Sequence, residues 1–293
     1  MIIAFLSPAL ILYGVFVIYP IVQSTRYSLY DWNGLEALDK FVGFDNFRRA
    51  FSDANFTAAL RHNVILIVLS LAFQIPFALG LAMLLNTRIK GRAILRTLFF
   101  APYVLSEVVT GVVWRQILRP KGLLDQVMTT VGLGAHTQGW LSNPDVVLYA
   151  LFFVISWKYF GFHMVIMLAG LQQIPKELGE AASIDGATSW QKFRYVTLPL
   201  LGPTIRVSGF LSIIGALQLF DLVYIIWGQY VAATAGTSTM ATYMVVNGRN
   251  AANYGYGSAV AVVLFIISLV VALTYQRFVL RRDTEGALTE GKK

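Results

Sequence analysis

His62, His136 and His163 are the only imidazoles in a chain of 293 residues that contains no cysteine. Their separations match no metal-ligand spacing, and the missing thiols exclude disulfides, zinc thiolate sites and thiol nucleophiles. A phosphate cradle needs a Gly-rich loop closing on Lys and a hydroxyl residue. The nearest approach runs from Gly286, with Gly291-Lys292 correctly spaced but Lys293 where Ser or Thr belongs. No HExxH, GxSxG or strand-following GxGxxG occurs. What stands out instead is a pair of opposite charges, Glu107 and Lys158, each inside an apolar stretch. An ionised side chain at bilayer depth is costly unless it is paired, hydrated or facing a cavity. The chemistry to expect is electrostatic, not covalent.

The elements that hold this pair are built for lipid. The chain is 57% hydrophobic and 13% charged, against about 25% charged in soluble domains. A crossing needs about 20 mostly apolar residues for roughly 30 Å of hydrocarbon. Ile2–Val22, Asn63–Leu85, Ile94–Leu118, Val146–Leu171, Leu201–Trp227 and Tyr256–Leu280 qualify. Backbone polar groups in lipid must be satisfied internally, so each stretch should be a helix and the protein an all-α membrane protein. The first stretch has no basic residue before it and exceeds a signal-peptide core, which argues for a span. Glu107 lies near the middle of the third stretch and Lys158 near the middle of the fourth. At 1.5 Å per residue both fall about halfway across. They are expected to approach each other or share an aqueous cavity; the alternative is that Lys158 snorkels to an interface.

Basic residues orient the spans. Arg88, Lys90, Arg92 and Arg96 crowd the second link, Lys176, Lys192, Arg194 and Arg206 follow the fourth span, and Arg277, Arg281 and Arg282 follow the sixth. The positive-inside rule makes these segments, and therefore both termini, cytoplasmic. Distributed this way, the net charge of +8 reflects membrane topology and not nucleic-acid binding. Residues 23–60 form the first outer loop. There Phe44, Phe47 and Phe51 recur at the spacing of one helix face, which would lie on the headgroups or, by preference, cover the helical bundle.

The other informative stretch is a polar insert, residues 172–200, between the fourth and fifth spans. Pro175 suits the first position of a helix. Lys176 to Asp185 are good helix formers, and Gly186 can take the left-handed conformation that stops one. Thr188 with Gln191 three residues later makes a capping box for a second helix, which Leu198-Pro199 should end. Small residues at Ala181, Ala182, Ser183 and Ala187 admit a close neighbour. Ile184, Trp190 and Phe193 are apolar anchors of the kind that carry interface energy. Two helices of about ten residues are marginal alone in water, so the spans or a partner must hold them.

Glu180-Ala181-Ala182, Asp185-Gly186-Ala187 and Leu198-Pro199 resemble the EAA signature of permease subunits from bacterial binding-protein-dependent ATP-binding-cassette importers. The likeness covers nearly the whole chain: Pro8 and Tyr19-Pro20, Val42 to Phe47, Gly91-Arg92, Arg96-Thr97, Ala101-Pro102-Tyr103, Ala169 to Gln172, Ile174-Pro175 and Tyr254 to Ala259. Together these look like the subgroup that handles oligosaccharides and glycerol-3-phosphate. Gly228-Gln229-Tyr230 departs from the Gly-Gly-Pro turn usual in that subgroup.

The resemblance implies a type I importer permease fold of six spans in the bacterial inner membrane. It implies a second, different permease subunit, two ATPase subunits that bind the ATP-Mg, and an external solute-binding protein, with no cofactor in this chain. The insert would enter a groove of the ATPase, with Glu180 and Gly186 central and Ala181, Ala182, Asp185, Ala187, Trp190 and Phe193 around them. The flanking spans would line the substrate path through Trp157, Tyr159, Phe162 and His163 before the insert and Ser212, Gln218, Phe220 and Asp221 after it. Two rivals remain. An ion-coupled secondary transporter should show internal repeats and broken helices, and no repeat is evident. A membrane enzyme lacks its catalytic residues.

Overall fold

A computed structural model describes residues 2–87, 89–134, 139–228 and 236–280. Arg88, His136, Gln229, Tyr230, Arg281, Arg282 and the stretch from Gly286 to Lys293 lie outside the described residues. Among the described residues four helices are long and apolar enough to cross a membrane: α1 Leu6–Tyr27, α2 Ala54–Asn86, α3 Val147–Gln173 and α4 Tyr254–Val279. The total reaches six if two sharply bent pairs each count as one span. The chain folds as two compact units. One holds the chain up to Asn63 with Leu217–Leu269, and the other holds Val64–Ala216 with the chain from Val270.

The second unit is centred on α2 against α3. Ile75, Ala78, Ala82 and Leu85 fall at i, i+3, i+7 and i+10 of α2, so they share one face. Met164, Met167, Leu168 and Leu171 make the matching face of α3, and Leu201 closes the cluster. Lipid tails are as apolar as leucine, so association rests on close packing, which small residues permit. Gly161 shows this most sharply: a Cβ there would stand 2.0 Å from the carbonyl oxygen of Phe99. At Gly170 it would stand 2.4 Å from Thr204 Oγ1.

Two of the expected continuous spans are broken. Ile94–Leu118 is formed by Arg92–Val104 and Glu107–Leu118, which meet at 96°. Pro102 removes one backbone donor near the end of the first helix. Leu105 and Ser106 then turn extended, and the Ser106 hydroxyl accepts from the Val109 N–H as an N-cap. Glu107 therefore lies at the start of a helix and not in the middle of one. The stretch Leu201–Trp227 is likewise divided. Gly202–Leu217 follows Ser189–Leu200 at 66°. After Leu217 the chain leaves the helix before Asp221–Trp227 begins. Thr239 Oγ1 donates to the Leu219 carbonyl at 2.6 Å, which satisfies one acceptor freed by that break.

In the first unit, none of α1 is buried, and the helix runs past the expected end at Val22 to Tyr27. The predicted short helix of the outer loop is Asp45–Ser52, but Asn46 and Ala50 form its buried face. Phe44 and Phe51 stay exposed, while Phe47 packs against the core. The reason is polar: Asn46 Nδ2 donates to the carbonyls of Ser28 and Tyr30, both at 2.9 Å, and that rotates the helix. Asp53 accepts from the Tyr243 hydroxyl at 2.6 Å, Tyr243 meets Tyr256 at 2.7 Å, and Arg49 lies over the Tyr256 ring. This network fastens the loop to α4.

Candidate functional site

The polar insert is a helical hairpin. Its first helix is Lys176–Ile184, with Pro175 at the N-cap, one position earlier than expected. The Ala187 N–H bonds the Ala182 carbonyl at 2.9 Å and the Gly186 N–H bonds the Ser183 carbonyl at 3.1 Å. That crossed pair is a Schellman end, which requires the left-handed backbone that Gly186 adopts at φ +79°. Thr188 and Gln191 form the expected capping box, with Thr188 N–H on Gln191 Oε1 at 2.7 Å. Leu198-Pro199 does not end the second helix, which continues to Leu200. Pro199 is tolerated because it lies in the first turn of Leu198–Leu200, after a wider turn at Phe193–Thr197.

Lys192 Nζ donates to Ser183 Oγ at 3.1 Å and ties the two helices together. Ile184 is 87% exposed, Trp190 68% and Tyr195 73%. Glu180, Ala181, Asp185 and Gly186 are exposed, Ala182, Ala187 and Phe193 half-buried. Apolar side chains projecting beside a glycine turn form the kind of surface that marks a protein contact. A Cβ on Gly186 would meet nothing within 4 Å, so the tip is open to a neighbour.

The structure brings Glu107 and Lys158 together. Lys158 Nζ stands 3.6 Å from Glu107 Oε1, and Lys158 is 2% exposed. Lys158 also donates to the carbonyl of Leu105, and the Tyr159 hydroxyl donates to Glu107 Oε1 at 2.6 Å. Tyr103 stacks on Phe162 at 4.7 Å and meets Tyr159 edge-on at 6.0 Å. Sequence reasoning missed Tyr103 as a partner, because only packing brings it beside Tyr159 and Phe162.

The residues expected along a substrate path are divided between the two units. Trp157 lines an apolar groove of about 420 Å³ with Phe73, Phe77, Phe153 and Phe160. His163 is buried, with Nδ1 2.7 Å from Ser208 Oγ. Ser212 is half-buried on Gly202–Leu217. Gln218, Phe220 and Asp221 belong to the other unit, where Gln218 and Asp221 are exposed and Phe220 stacks on Tyr224. Among the described residues no group of His, Cys, Asp and Glu could hold a metal ion.

Residues 74–284 match the family described as the binding-protein-dependent transport system inner membrane component. A probable ABC transporter permease protein of Pyrococcus horikoshii is 35% identical, over 94% of this chain and 94% of the relative. The lactose transport system permease protein of Rhizobium radiobacter is 33% identical, over 95% and 93%. The crystal structure of a bacterial alginate ABC transporter in complex with alginate pentasaccharide-bound periplasmic protein contains a chain that superposes with a TM-score of 0.81. That chain is 25% identical, and the match covers 95% of this chain and 93% of that one. A chain of apolar helices, carrying an exposed and doubly capped hairpin, thus belongs to the family of binding-protein-dependent transport system inner membrane components, and it is a permease subunit and not an enzyme.

Proposed function

We propose that this permease subunit serves an ATP-driven importer that carries a sugar, an oligosaccharide in particular, across the bacterial inner membrane. The single observation that carries the proposal is the hairpin around Gly186: an exposed apolar tip with a fixed backbone, on a chain of this family. The relatives described as handling lactose and alginate favour a carbohydrate, with glycerol-3-phosphate or a related polyol as the alternative. Both termini and the hairpin face the cytoplasm, as the basic residues of the links require.

A second permease, two ATPase subunits and an external solute-binding protein complete the machine. ATP closes the ATPase pair, the hairpin moves with it, and the spans open outward to receive the sugar. Glu180 and Gly186 carry that motion, while Tyr159, Phe162 and the other aromatics of the path present flat faces to sugar rings. The broken helices seen here occur in secondary transporters too, so they do not separate the two mechanisms. The family match favours the ATP-driven one.

The test is uptake in proteoliposomes that hold this chain with its partner permease and ATPase subunits. Uptake should require ATP and the binding protein, and Glu180→Ala should abolish it while leaving the complex assembled or weakening assembly. Uptake by this chain alone, without ATP, would overturn the proposal in favour of an ion-coupled carrier.

A further inference from the structure

The geometry points to Lys158 and Glu107 as a two-headed clamp that holds the 96° break between Arg92–Val104 and Glu107–Leu118. Breaking a helix at membrane depth frees carbonyls at the end of one half and N–H groups at the start of the other, and lipid offers neither a partner. Ser106 serves the second half through its hydroxyl on the Val109 N–H. In the first half the Leu105 N–H meets the Pro102 carbonyl at 3.3 Å, and the carbonyl of Leu105 itself is met by Lys158, reaching over from the long helix Val147–Gln173.

The signs of the charges fit the two ends. A helix carries partial negative charge at its C-terminus and partial positive charge at its N-terminus. Lys158 lies at the C-terminal end of Arg92–Val104, and Glu107 is the first residue of Glu107–Leu118. Each ion therefore stabilises the half-helix end beside it, and each neutralises the other at 3.6 Å. Tyr159 adds a hydrogen bond to Glu107 from the same helix as Lys158, so both anchors of the clamp sit on one rigid rod. Tyr103, Tyr159 and Phe162 pack together beside the clamp, and the first of these rings is on the first half. Lys158 and Glu107 are positioning residues: they fix the angle of the third segment and with it the place of Tyr103. The clamp concerns the shape of this segment and does not depend on which solute is carried.

The chain has no cysteine, so spin labels can be placed only where intended. Leu98 and Val113 are exposed, one on each half. Each lies about 11 Å along its helix from the middle of the break at 1.5 Å per residue. With the 96° bend the two sites stand about 15 Å apart, and in a straight helix they would stand about 22 Å apart. Labels at Leu98→Cys and Val113→Cys of the full chain in lipid nanodiscs should give one narrow distance distribution. Lys158→Met should broaden it and move it outward by up to about 7 Å, whereas Lys158→Arg should restore the narrow form. An unshifted, narrow distribution in Lys158→Met overturns the clamp. Should that variant fail to accumulate, Glu107→Gln decides, since it keeps the shape and the Lys158–Leu105 bond. Broadening there supports the clamp, and a wild-type distribution overturns it.

Discussion

Gly161→Ala is the change whose cost follows most directly from the structure. The added Cβ would stand 2.0 Å from the Phe99 carbonyl oxygen, 2.8 Å from the Phe99 carbonyl carbon and 3.0 Å from the Phe100 Cα. All three are backbone atoms, so no rotamer can swing aside. Ordinary contact begins near 3.4 Å, and the helix pair must separate by about 1.4 Å, roughly the size of an overpacked methyl group, at a cost of about 1–3 kcal/mol. The helical preference of Ala over Gly returns up to about 1 kcal/mol, leaving a net loss of up to about 2 kcal/mol if that return is complete. Gly80→Ala is the control: it makes the same change within α2 but meets nothing within 4 Å. It should be neutral or slightly stabilising. Thermal unfolding of the purified variants in detergent, followed by tryptophan fluorescence, separates them. A midpoint for Gly161→Ala equal to that of Gly80→Ala would refute the backbone-to-backbone contact between Arg92–Val104 and α3.

Gly186→Asn should keep the hairpin turn, because Asn tolerates the left-handed region, whereas Gly186→Val should cost about 1–3 kcal/mol locally and open the turn to protease; equal proteolysis of the two variants would count against the turn. Thr188→Ala should cost about 1 kcal/mol of hairpin stability by removing the cap, read as faster hydrogen exchange over Ser189–Lys192, and unchanged exchange would refute the cap's role. Exchanging the charges, Glu107→Lys with Lys158→Glu, should fail to restore uptake in proteoliposomes, since Glu cannot donate to the Leu105 carbonyl and both helix ends would face the wrong sign; wild-type uptake by the swap would refute this. Burial raises the Asp53 carboxyl, but hydrogen bonds from Tyr243 and from the backbone of Asn55 and Phe56 outweigh it and hold the group below its usual 3.8. Its stabilisation is therefore complete above that value and is lost as pH falls through the lower folded one, so the acid-side fall in the unfolding midpoint should be shallower in Asp53→Asn than in the unaltered chain.

Much of this protein was legible in its sequence. Long apolar runs determined the helices, because lipid leaves a backbone no other solution. The hairpin was equally legible: Gly186, Thr188 and Gln191 act on neighbours within a few residues, so spacing alone specifies the turn and the cap. Which face of Asp45–Ser52 is buried was not legible, because Asn46 bonds carbonyls at Ser28 and Tyr30, well outside its own helix. Hydrophobicity could not reveal the break at Leu105 and Ser106, since both halves of that segment are apolar and a twenty-residue window reads them as one. Two charges in adjacent spans suggested a pair, but its role depends on the Leu105 carbonyl, 53 positions from Lys158. Local hydrogen bonding and burial in lipid act along the chain and are written in it residue by residue. Angles between segments, and which buried groups satisfy one another, arise from contacts between distant residues, and only the packed molecule decides them.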